Sequence, residues 1–294
     1  MHFLINFIRF SRLHTIIGTT LSIVTLWLIA LSYSDRAGLH FPLLIQTVIA
    51  CLGANIFIVG LNQITDIEID KINKPYLPLA SGAFSLQTGK SIVGIGLAIS
   101  LILAVLLGGY LLWTVLLSLA LGIAYSLPPI RLKKYPFWAA FCIIAVRGLI
   151  VNLLLFLHFH AHINGAHTIT PLVWLLTAVI IVYSLIIAWF KDLPDTEGDA
   201  SFGVRTLSVR LGRRRVFAVG NSVMILLFLV CIITPFIFRI NVNSLLFSGA
   251  HGVFLLLLLL GILRTNLYNQ SSVFNYYRFI WVLFFGEYLV FAFL

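Results

Sequence analysis

Long uncharged apolar segments, separated by short polar segments, dominate the hydrophobic pattern of the chain. These segments are apolar on all sides rather than along one stripe, as is typical of helices in contact with lipid. A helix of about 20 residues, at about 1.5 Å per residue, crosses a hydrocarbon layer of about 30 Å. The boundary between the third and fourth segments depends only on Gly108, Gly109 and Tyr110. The pattern predicts nine transmembrane helices, at residues 14–34, 41–61, 89–108, 110–127, 137–157, 170–190, 216–238, 245–263 and 276–294.

The composition supports an integral membrane protein, since 61% of the 294 residues are hydrophobic and only 10% are charged. We therefore predict an all-α fold, a polytopic membrane helical bundle that forms one domain over residues 1–294. The first apolar segment is too long for a signal-peptide core, and no transit peptide rich in Arg and Ser precedes it, so we interpret it as a retained span. The three cysteines, Cys51, Cys142 and Cys231, lie in apolar segments and form no disulfide or metal pattern, which indicates a packing role.

The positive charges predict the orientation of these helices. With nine spans, sixteen of the nineteen Lys and Arg residues fall on one face, which we call the basic face; Arg36 and Arg239 fall on the other, and Arg147 lies within a span. The positive-inside rule then places the N-terminus and the basic face on the cytoplasmic or stromal side. This topology accounts for the basic charge, so the lipid bilayer is an expected partner and nucleic acid is not.

Seven of the nine acidic residues form two clusters, each directly after a long apolar segment. The first acidic motif, residues 62–70, has the sequence NQITDIEID, and the second acidic motif, residues 191–199, has the sequence KDLPDTEGD. Four predicted spans lie between the motifs, so both are expected on the basic face. On continuing helices, residues three or four apart share one side. The spacing therefore predicts one polar stripe in each motif, although Pro194 is expected to loosen the second helix.

The carboxylates of these motifs are candidates for a metal site. Capping of the spans, or charge balance for basic loops, explains them less well, because an acid at a helix C-terminus opposes the macrodipole and like charges one turn apart repel each other. Carboxylate oxygens suit Mg²⁺, which also takes waters and substrate phosphates as ligands. We therefore predict a site for Mg²⁺ and a diphosphate with the metal ligands Asn62, Asp66, Asp70, Asp192, Asp195 and Asp199.

The two acidic motifs resemble the paired aspartate-rich motifs of the UbiA-type intramembrane prenyltransferases. The resemblance extends over nearly the whole chain and includes YSLPPIRLKK at residues 125–134. Four further segments are similar to the homogentisate prenyltransferases of cyanobacteria and plastids, and most similar to the phytyltransferases of tocopherol synthesis. One departure is Leu13, where this family commonly has proline, and it concerns only the entry into the first span. The four segments are HTIIGT at 14–19, NKPYLPLASG at 73–82, VRGLIVNL at 146–153 and VRTLSVRLG at 204–212.

The resemblance implies an Mg²⁺-dependent enzyme that transfers a prenyl group from a prenyl diphosphate to homogentisate and releases diphosphate and CO₂. The implied donor is phytyl diphosphate, as in tocopherol (vitamin E) biosynthesis. Geranylgeranyl and solanesyl diphosphate are alternative donors, and the reaction of chlorophyll synthase is an alternative within the superfamily. A transporter or lipid-binding protein without catalysis is the alternative from another class, but acids at span ends rather than span centres favour the enzyme. The expected location is a cyanobacterial-type inner or thylakoid membrane.

The resemblance and the charge pattern together give the candidate site residues. Arg147 lies in the middle of the fifth span, where a cation is costly, and its candidate partners are the acceptor carboxylate, a phosphate or a structural group. The alternative for the other cations is ordinary loop charge on the basic face, and for Tyr125 it is the aromatic belt at the membrane surface. The candidate catalytic residues are Asp66, Asp70, Asp195, Asp199 and Arg147. The candidate diphosphate ligands are Asn62, Lys74, Tyr125, Lys133, Lys191 and Arg205.

Two further polar features lie outside these motifs. The segment HFHAHINGAH, residues 158–167, is a weak zinc signal because its histidines have no cysteine or acid nearby, and we interpret it as a polar loop. Glu287 lies in the last predicted span, where an acid is expected to face the bundle interior and to be paired or protonated.

Overall fold

The computed structural model describes residues 2–34, 38, 40–201, 203, 206–238 and 242–294. For Phe238 it describes the backbone only. Within these ranges every regular element is a helix, as the apolar pattern predicted. The chain divides into two compact units, Met1–Thr168 (unit 1) and Ile169–Leu294 (unit 2). The expectation of a single domain over residues 1–294 stays a prediction.

Unit 1 contains the helices formed by the first five apolar segments. Its α-helices are α1 (His2–Phe10), α2 (Leu13–Ser32), α3 (Phe41–Thr65), α4 (Ile67–Asn73), α5 (Leu86–Leu107), α6 (Gly109–Ser126), α7 (Pro136–Ile143) and α8 (Leu155–Asn164). A 3-10 turn, Leu132–Lys134, precedes α7, and a π-helical segment, Ile144–Leu154, joins α7 to α8. Local signals set the ends of these helices, as where the side chain of Ser85 accepts a hydrogen bond from the Thr88 N–H (3.0 Å) at the start of α5.

Unit 2 contains the remaining long helices and two short ones. They are α9 (Pro171–Phe190), α10 (Thr196–Ser201), α11 (Leu207–Leu211), α12 (Arg213–Phe238), α13 (Ser244–Arg264) and α14 (Gln270–Ala292). Proline at the first position of α9 suits a helix start, because it has no N–H to leave unpaired. Asparagine side chains cap α13 and α14, since Asn243 accepts from the Leu246 N–H and Asn269 from the Ser272 N–H, both at 3.0 Å.

Eight helices in the described ranges are long and apolar enough to cross a membrane. The ninth predicted span also forms a helix, α14, but this helix of 23 residues carries Arg278 and Glu287 and is not among the eight. The predicted boundary between the third and fourth spans is confirmed, because α5 ends at Leu107 and α6 begins at Gly109. The eight helices are α2, α3, α5, α6, the continuous helix Pro136–Asn164, α9, α12 and α13.

The fifth span is longer than predicted. Its helix continues to Asn164, and Gly165 ends it with a left-handed φ of 68°. The histidines at 158, 160 and 162 therefore lie on α8, and the interpretation of this part as a polar loop is wrong. The physical reason is that the buried histidines have polar partners within the unit, such as Thr47 for His158 (3.1 Å) and Asn164 for His160 (2.8 Å).

Small residues allow α3 and α5 to pack closely in unit 1. A Cβ atom added to Gly53 would lie 2.7 Å from the carbonyl oxygen of Gly96, and one added to Gly96 would lie 2.9 Å from the carbonyl oxygen of Gly53. Such reciprocal contacts of small residues are a typical way for membrane helices to associate, since lipid supplies no hydrophobic driving force between them. The close packing holds the helix that ends at the first acidic motif.

Gly53→Leu is expected to destabilise the protein by roughly 1–3 kcal/mol, because the added side chain meets backbone atoms that cannot move aside. Thermal unfolding in detergent measures the loss. The matched control is Gly94→Leu, on the same helix pair, since nothing lies within 4 Å of a Cβ at Gly94. Equal melting temperatures for the two variants would contradict this account of the packing.

A buried polar group joins three helices of unit 2. Glu287 on α14 is 0% exposed, accepts a hydrogen bond from the Tyr183 hydroxyl of α9 (3.1 Å) and lies 3.2 Å from Nε2 of His251 on α13. The prediction that Glu287 faces the interior with a partner is confirmed. Since an acid without partners is costly inside a membrane protein, these contacts fix how α9, α13 and α14 pack together.

Candidate functional site

The first acidic motif contains a break between two helices. The helix α3 ends at Thr65, Asp66 has the non-helical angles φ −118° and ψ 14°, and α4 begins at Ile67. The Asp70 N–H donates to the Asp66 carbonyl at 2.8 Å and so restarts the helical hydrogen bonds. The prediction of one continuing helix is therefore wrong. The backbone turns at Asp66, and the side chains of Arg131 and Lys133 contact the carboxylate of that residue.

The second acidic motif contains a similar break. The helix α9 ends at Phe190, residues 191–195 form turns, and α10 begins at Thr196. Pro194 supplies no N–H and disfavours the helical conformation of the residue before it, which explains why α9 does not continue. The Asp199 N–H donates to the Asp195 carbonyl at 2.8 Å, the same contact and distance as between Asp70 and Asp66. The two motifs therefore share their local backbone design as well as their spacing.

The acids of each motif differ in exposure according to their spacing. Asp70 is 5% exposed, Asp195 is 8% and Asp199 is 7%. The side chains of the intervening glutamates, Glu68 and Glu197, are 76% and 93% exposed. The aspartates at four-residue spacing therefore turn away from solvent, although the helices break.

Asp66 is the centre of an ionic cluster in unit 1. Its Oδ1 atom accepts hydrogen bonds from Nη2 of Arg131 at 2.9 Å and from Nζ of Lys133 at 2.7 Å. Lys133 also donates to Oγ1 of Thr65 at 3.0 Å. All three charged side chains are at most 22% exposed. We call Asp66, Arg131 and Lys133 the Asp66 cluster; it has two cations and one carboxylate, and the charge of Asp70 also acts on Lys133.

Burial lowers the pKa of Lys133 from its usual value near 10.5, and the charge and hydrogen bond of Asp66 oppose this change. The lysine thus lies in a site poor in water, where its attraction to an anion is weakly screened. Such a partly buried cation favours a phosphate group that replaces the lost hydration.

Arg131 is a member of the Asp66 cluster that the charge pattern of the sequence does not distinguish from the other basic residues of the loops. It lies in YSLPPIRLKK, the segment that carried part of the family resemblance, and that signal could have found it. Its backbone has a φ of 40°, in the left-handed region that a residue with a side chain rarely adopts. Strained backbone of this kind occurs where surrounding contacts over-determine a functional position.

Contacts from other parts of unit 2 hold the turn of the second acidic motif. Arg213 donates from Nε to the Leu193 carbonyl and from Nη1 to the Leu267 carbonyl, both at 3.0 Å. Gln270 donates to the Pro194 carbonyl at 3.0 Å. Nζ of Lys191 lies 3.1 Å from Oδ1 of Asp192. These bonds fix the backbone of the turn while its buried aspartates point away from solvent.

The other candidate site residues lie at different positions in the fold. Asn62 lies in the last turn of α3 and Tyr125 in the last turn of α6, and both are half-buried. Lys74 directly follows α4, and its N–H donates to the Asp70 carbonyl at 2.8 Å. Arg205 lies outside the described residues. Among the candidate cations, Lys133 thus lies in direct contact with Asp66 in unit 1.

Arg147 lies on the π-helical segment Ile144–Leu154 and is half-buried. On the same segment, the buried Asn152 donates from Nδ2 to the Gly148 carbonyl at 3.0 Å. A π-helix widens the backbone and is frequent at functional sites. The sequence placed Arg147 within a span correctly but gave no sign of the π-helix.

The donor set fits Mg²⁺ that is shared with a substrate. Within the described ranges, no three side chains of His, Cys, Asp or Glu lie close enough to form a metal site on their own. Mg²⁺ is usually bound through one or two carboxylates, waters and substrate phosphates rather than by an all-protein cage. Asp66, which two cations contact, and the buried Asp70, Asp195 and Asp199 are carboxylates of the kind that such a shared ion requires.

Arg131→Ala and Lys133→Ala are each expected to weaken the Mg²⁺-dependent binding of inorganic diphosphate about ten-fold or more, since a hydrogen bond to a charged group contributes roughly 1.5–3 kcal/mol. Isothermal titration of the purified protein measures the affinity. The matched control is Lys134→Ala, which removes an exposed cation from the same turn. Unchanged affinity in both test variants would show that the Asp66 cluster does not bind the anion.

The chain is similar over almost its whole length to proteins of one family. Residues 21–283 match the family model of the UbiA prenyltransferase family. The chain is 42% identical to the homogentisate phytyltransferase of Synechocystis sp., over 97% of this chain and 94% of that protein. It is 41% identical to the chloroplastic homogentisate phytyltransferase 1 of Arabidopsis thaliana, over 98% of this chain and 75% of that protein.

A solved structure is similar in fold. The UbiA homologue of Archaeoglobus fulgidus, solved with GPP and Mg²⁺, superimposes with a TM-score of 0.66 over 98% of this chain and 99% of that chain. The two sequences are 16% identical, so this likeness concerns the fold alone.

Proposed function

Because the chain belongs to the UbiA prenyltransferase family, we propose that it transfers a phytyl group from phytyl diphosphate to homogentisate, as a step of tocopherol synthesis. In this reaction the allylic C–O bond breaks and diphosphate leaves, while a ring carbon of homogentisate forms the new C–C bond and loses its proton. The carboxyl group leaves as CO₂, and a proton takes its place. The observation that carries the proposal is 42% identity over almost the full length of both chains to an enzyme named for this transfer.

The acidic motifs supply the metal ligands in this proposal. Asn62, Asp66 and Asp70 come from unit 1, and Asp192, Asp195 and Asp199 come from unit 2. When bound, Mg²⁺ neutralises the diphosphate and makes it a better leaving group. The burial of Asp70, Asp195 and Asp199 supports this role, because charged groups away from solvent are typically paired or coordinate metals. The motifs of both units are needed for activity.

Cations stabilise the negative charge that grows on the leaving group. Lys133 and Arg131 already lie beside Asp66, at 2.7 Å and 2.9 Å from the same oxygen. Groups fixed before the reaction stabilise charge without the reorganisation that water would require. Lys74, Tyr125, Lys191 and Arg205 are the further candidates for this task.

The apolar helices receive the prenyl chain. Motifs that directly follow long apolar helices hold a charged head group at the membrane surface while its tail stays among the helices. Exclusion of water matters here, because water would react with the allylic cation before the aromatic ring does. We also propose that the basic face, with the N-terminus, lies on the cytoplasmic or stromal side, as the positive-inside rule predicts.

The proposed reaction is tested by assaying membranes that contain the protein with homogentisate, Mg²⁺ and phytyl, geranylgeranyl or solanesyl diphosphate. We expect a phytylated product whose mass shows the loss of CO₂, and no product after chelation of Mg²⁺. Asp70→Ala and Asp195→Ala are expected to lose at least 99% of the turnover, about 2.7 kcal/mol or more of transition-state stabilisation.

The matched controls remove an exposed acid from each motif, Glu68→Ala and Glu197→Ala, and they are expected to keep most of the activity. A preference for another prenyl donor would correct the substrate while leaving the enzyme class intact. Near-normal turnover in the aspartate variants would contradict the site.

Arg147 binds the carboxylate of the acceptor in this proposal. Its position on a π-helix within the span supports a functional role, and a guanidinium forms paired hydrogen bonds with a carboxylate that an ammonium cannot reproduce. Arg147→Lys and Arg147→Ala are therefore both expected to impair the use of homogentisate by about 2–5 kcal/mol in kcat/KM.

Measuring the KM of the variants for homogentisate and for the prenyl diphosphate tests this role. A rise confined to homogentisate supports the acceptor role, and a rise confined to the prenyl diphosphate would instead place Arg147 at the diphosphate. A lower melting temperature with unchanged constants for both substrates would show a structural role.

A further inference from the structure

Two histidines one helical turn apart lie near the end of α8 in unit 1. The ring centroids of His158 and His162 are 4.6 Å apart. His158 is 0% exposed, whereas His162 is open to solvent. Positions four residues apart on one helix face are a recurring arrangement for two imidazole ligands of one metal ion.

The contacts of His158 fix its tautomer. Oγ1 of Thr47 lies 2.8 Å from the Leu43 carbonyl oxygen, and since a carbonyl only accepts, the Thr47 hydroxyl proton is used there. The 3.1 Å contact between Oγ1 of Thr47 and Nε2 of His158 is then a hydrogen bond donated by the imidazole. Nδ1 of His158 therefore carries a lone pair, and this buried atom has no hydrogen-bond partner among the residues that the structure describes.

The contacts of His162 lead to the opposite tautomer. Its Nδ1 lies 2.8 Å from the carbonyl oxygen of His158, so Nδ1 carries the proton and donates. Nε2 of His162 is left with a lone pair on the side chain that is open to solvent. Each ring thus has one nitrogen that donates to a fixed oxygen and one that can bind a metal ion.

Hydrogen bonds of this kind are typical of histidines that bind metals. Such a histidine almost always donates its other ring N–H to a carbonyl, a carboxylate or another fixed partner. An ion bonded at about 2.0–2.1 Å to one nitrogen of each ring lies roughly 3 Å from each ring centre, so ring centres about 4.5–5 Å apart suit a shared ion. The observed 4.6 Å lies in that range.

We propose that His158 and His162 bind one divalent ion of the zinc class, with water from the exposed side completing its coordination. The neighbouring His160 is not a ligand, because its Nδ1 already contacts Nδ2 of Asn164 at 2.8 Å. A lone pair buried without a partner destabilises a protein, and a bound ion removes that penalty for His158. The ion ties the last turn of α8 together.

The proposed site of His158 and His162 differs from the first acidic motif in its position and in its chemistry. Thr47 lies near the start of α3, and Thr65, beside Asp66, lies eighteen residues further on at its other end. That separation is about 27 Å along the helix axis. Imidazole nitrogen suits Zn²⁺, Cu²⁺ or Ni²⁺, whereas carboxylate oxygen suits Mg²⁺. Excess Mg²⁺ is therefore expected not to compete.

The test is a calorimetric titration of Zn²⁺ into purified protein without a histidine tag, in the presence of millimolar Mg²⁺. We expect one ion per chain, and a loss of at least ten-fold in affinity for His162→Ala, whose exposed side chain can be removed without unfolding the protein. His158→Ala is expected to have the same effect. His167→Ala, which removes an exposed histidine after the same helix, is the matched control and is expected to bind normally.

Thr47→Val provides a second variant that keeps both ligands. It removes the oxygen that fixes the His158 tautomer, so it is expected to weaken Zn²⁺ binding about ten-fold or more, as loss of such partners does in other metal sites. Absence of stoichiometric Zn²⁺ binding to the unaltered protein would overturn the proposal. Equal affinity in the protein and in His162→Ala would also overturn it.

Discussion

Charged groups are stable in this chain only where they reach water or a partner of opposite charge, because isolated charges in hydrocarbon are costly. The contacts of Asp66 with Arg131 and Lys133, at 2.9 Å and 2.7 Å, satisfy this constraint at the end of α3. They also attach the loop that follows α6 to the first acidic motif. The close packing of α3 on α5 through Gly53 and Gly96 fixes the position at which this carboxylate emerges.

The same constraint explains why both motifs interrupt their helices. A straight helix would carry the aspartates onward along one side, whereas a break followed by a short helix turns them inward and leaves the intervening glutamates in solvent. Asp70 and Asp199 each restart the helix with a 2.8 Å bond to the aspartate four residues earlier. Under the proposed function, this design presents acids and cations to a diphosphate whose tail lies among apolar helices.

The sequence predicted most of the fold because lipid requires about 20 apolar residues per helix, and this requirement is visible in the chain itself. It predicted less well where partners distant in sequence decide the outcome. The helix through His158 extends beyond the predicted span because Thr47, from α3, pairs with that histidine. The break at Asp66 and the role of Arg131 depend on a contact between residues 65 positions apart. The π-helix around Arg147 has no known sequence signature of its own.

The central claim of the proposed function is that the aspartates of each acidic motif bind a divalent ion together with a diphosphate. Crystals grown with Mn²⁺ in place of Mg²⁺ and with a non-hydrolysable phytyl thiodiphosphate test it most directly, because Mn²⁺ is located by its anomalous scattering. We predict anomalous peaks within bonding distance of carboxylates of the first acidic motif, and likewise of the second acidic motif, each beside diphosphate oxygens. Lys133 and Arg131 are expected to contact the diphosphate at the first motif. A diphosphate bound without Mn²⁺, or Mn²⁺ bound away from Asp66, Asp70, Asp195 and Asp199, would contradict the account.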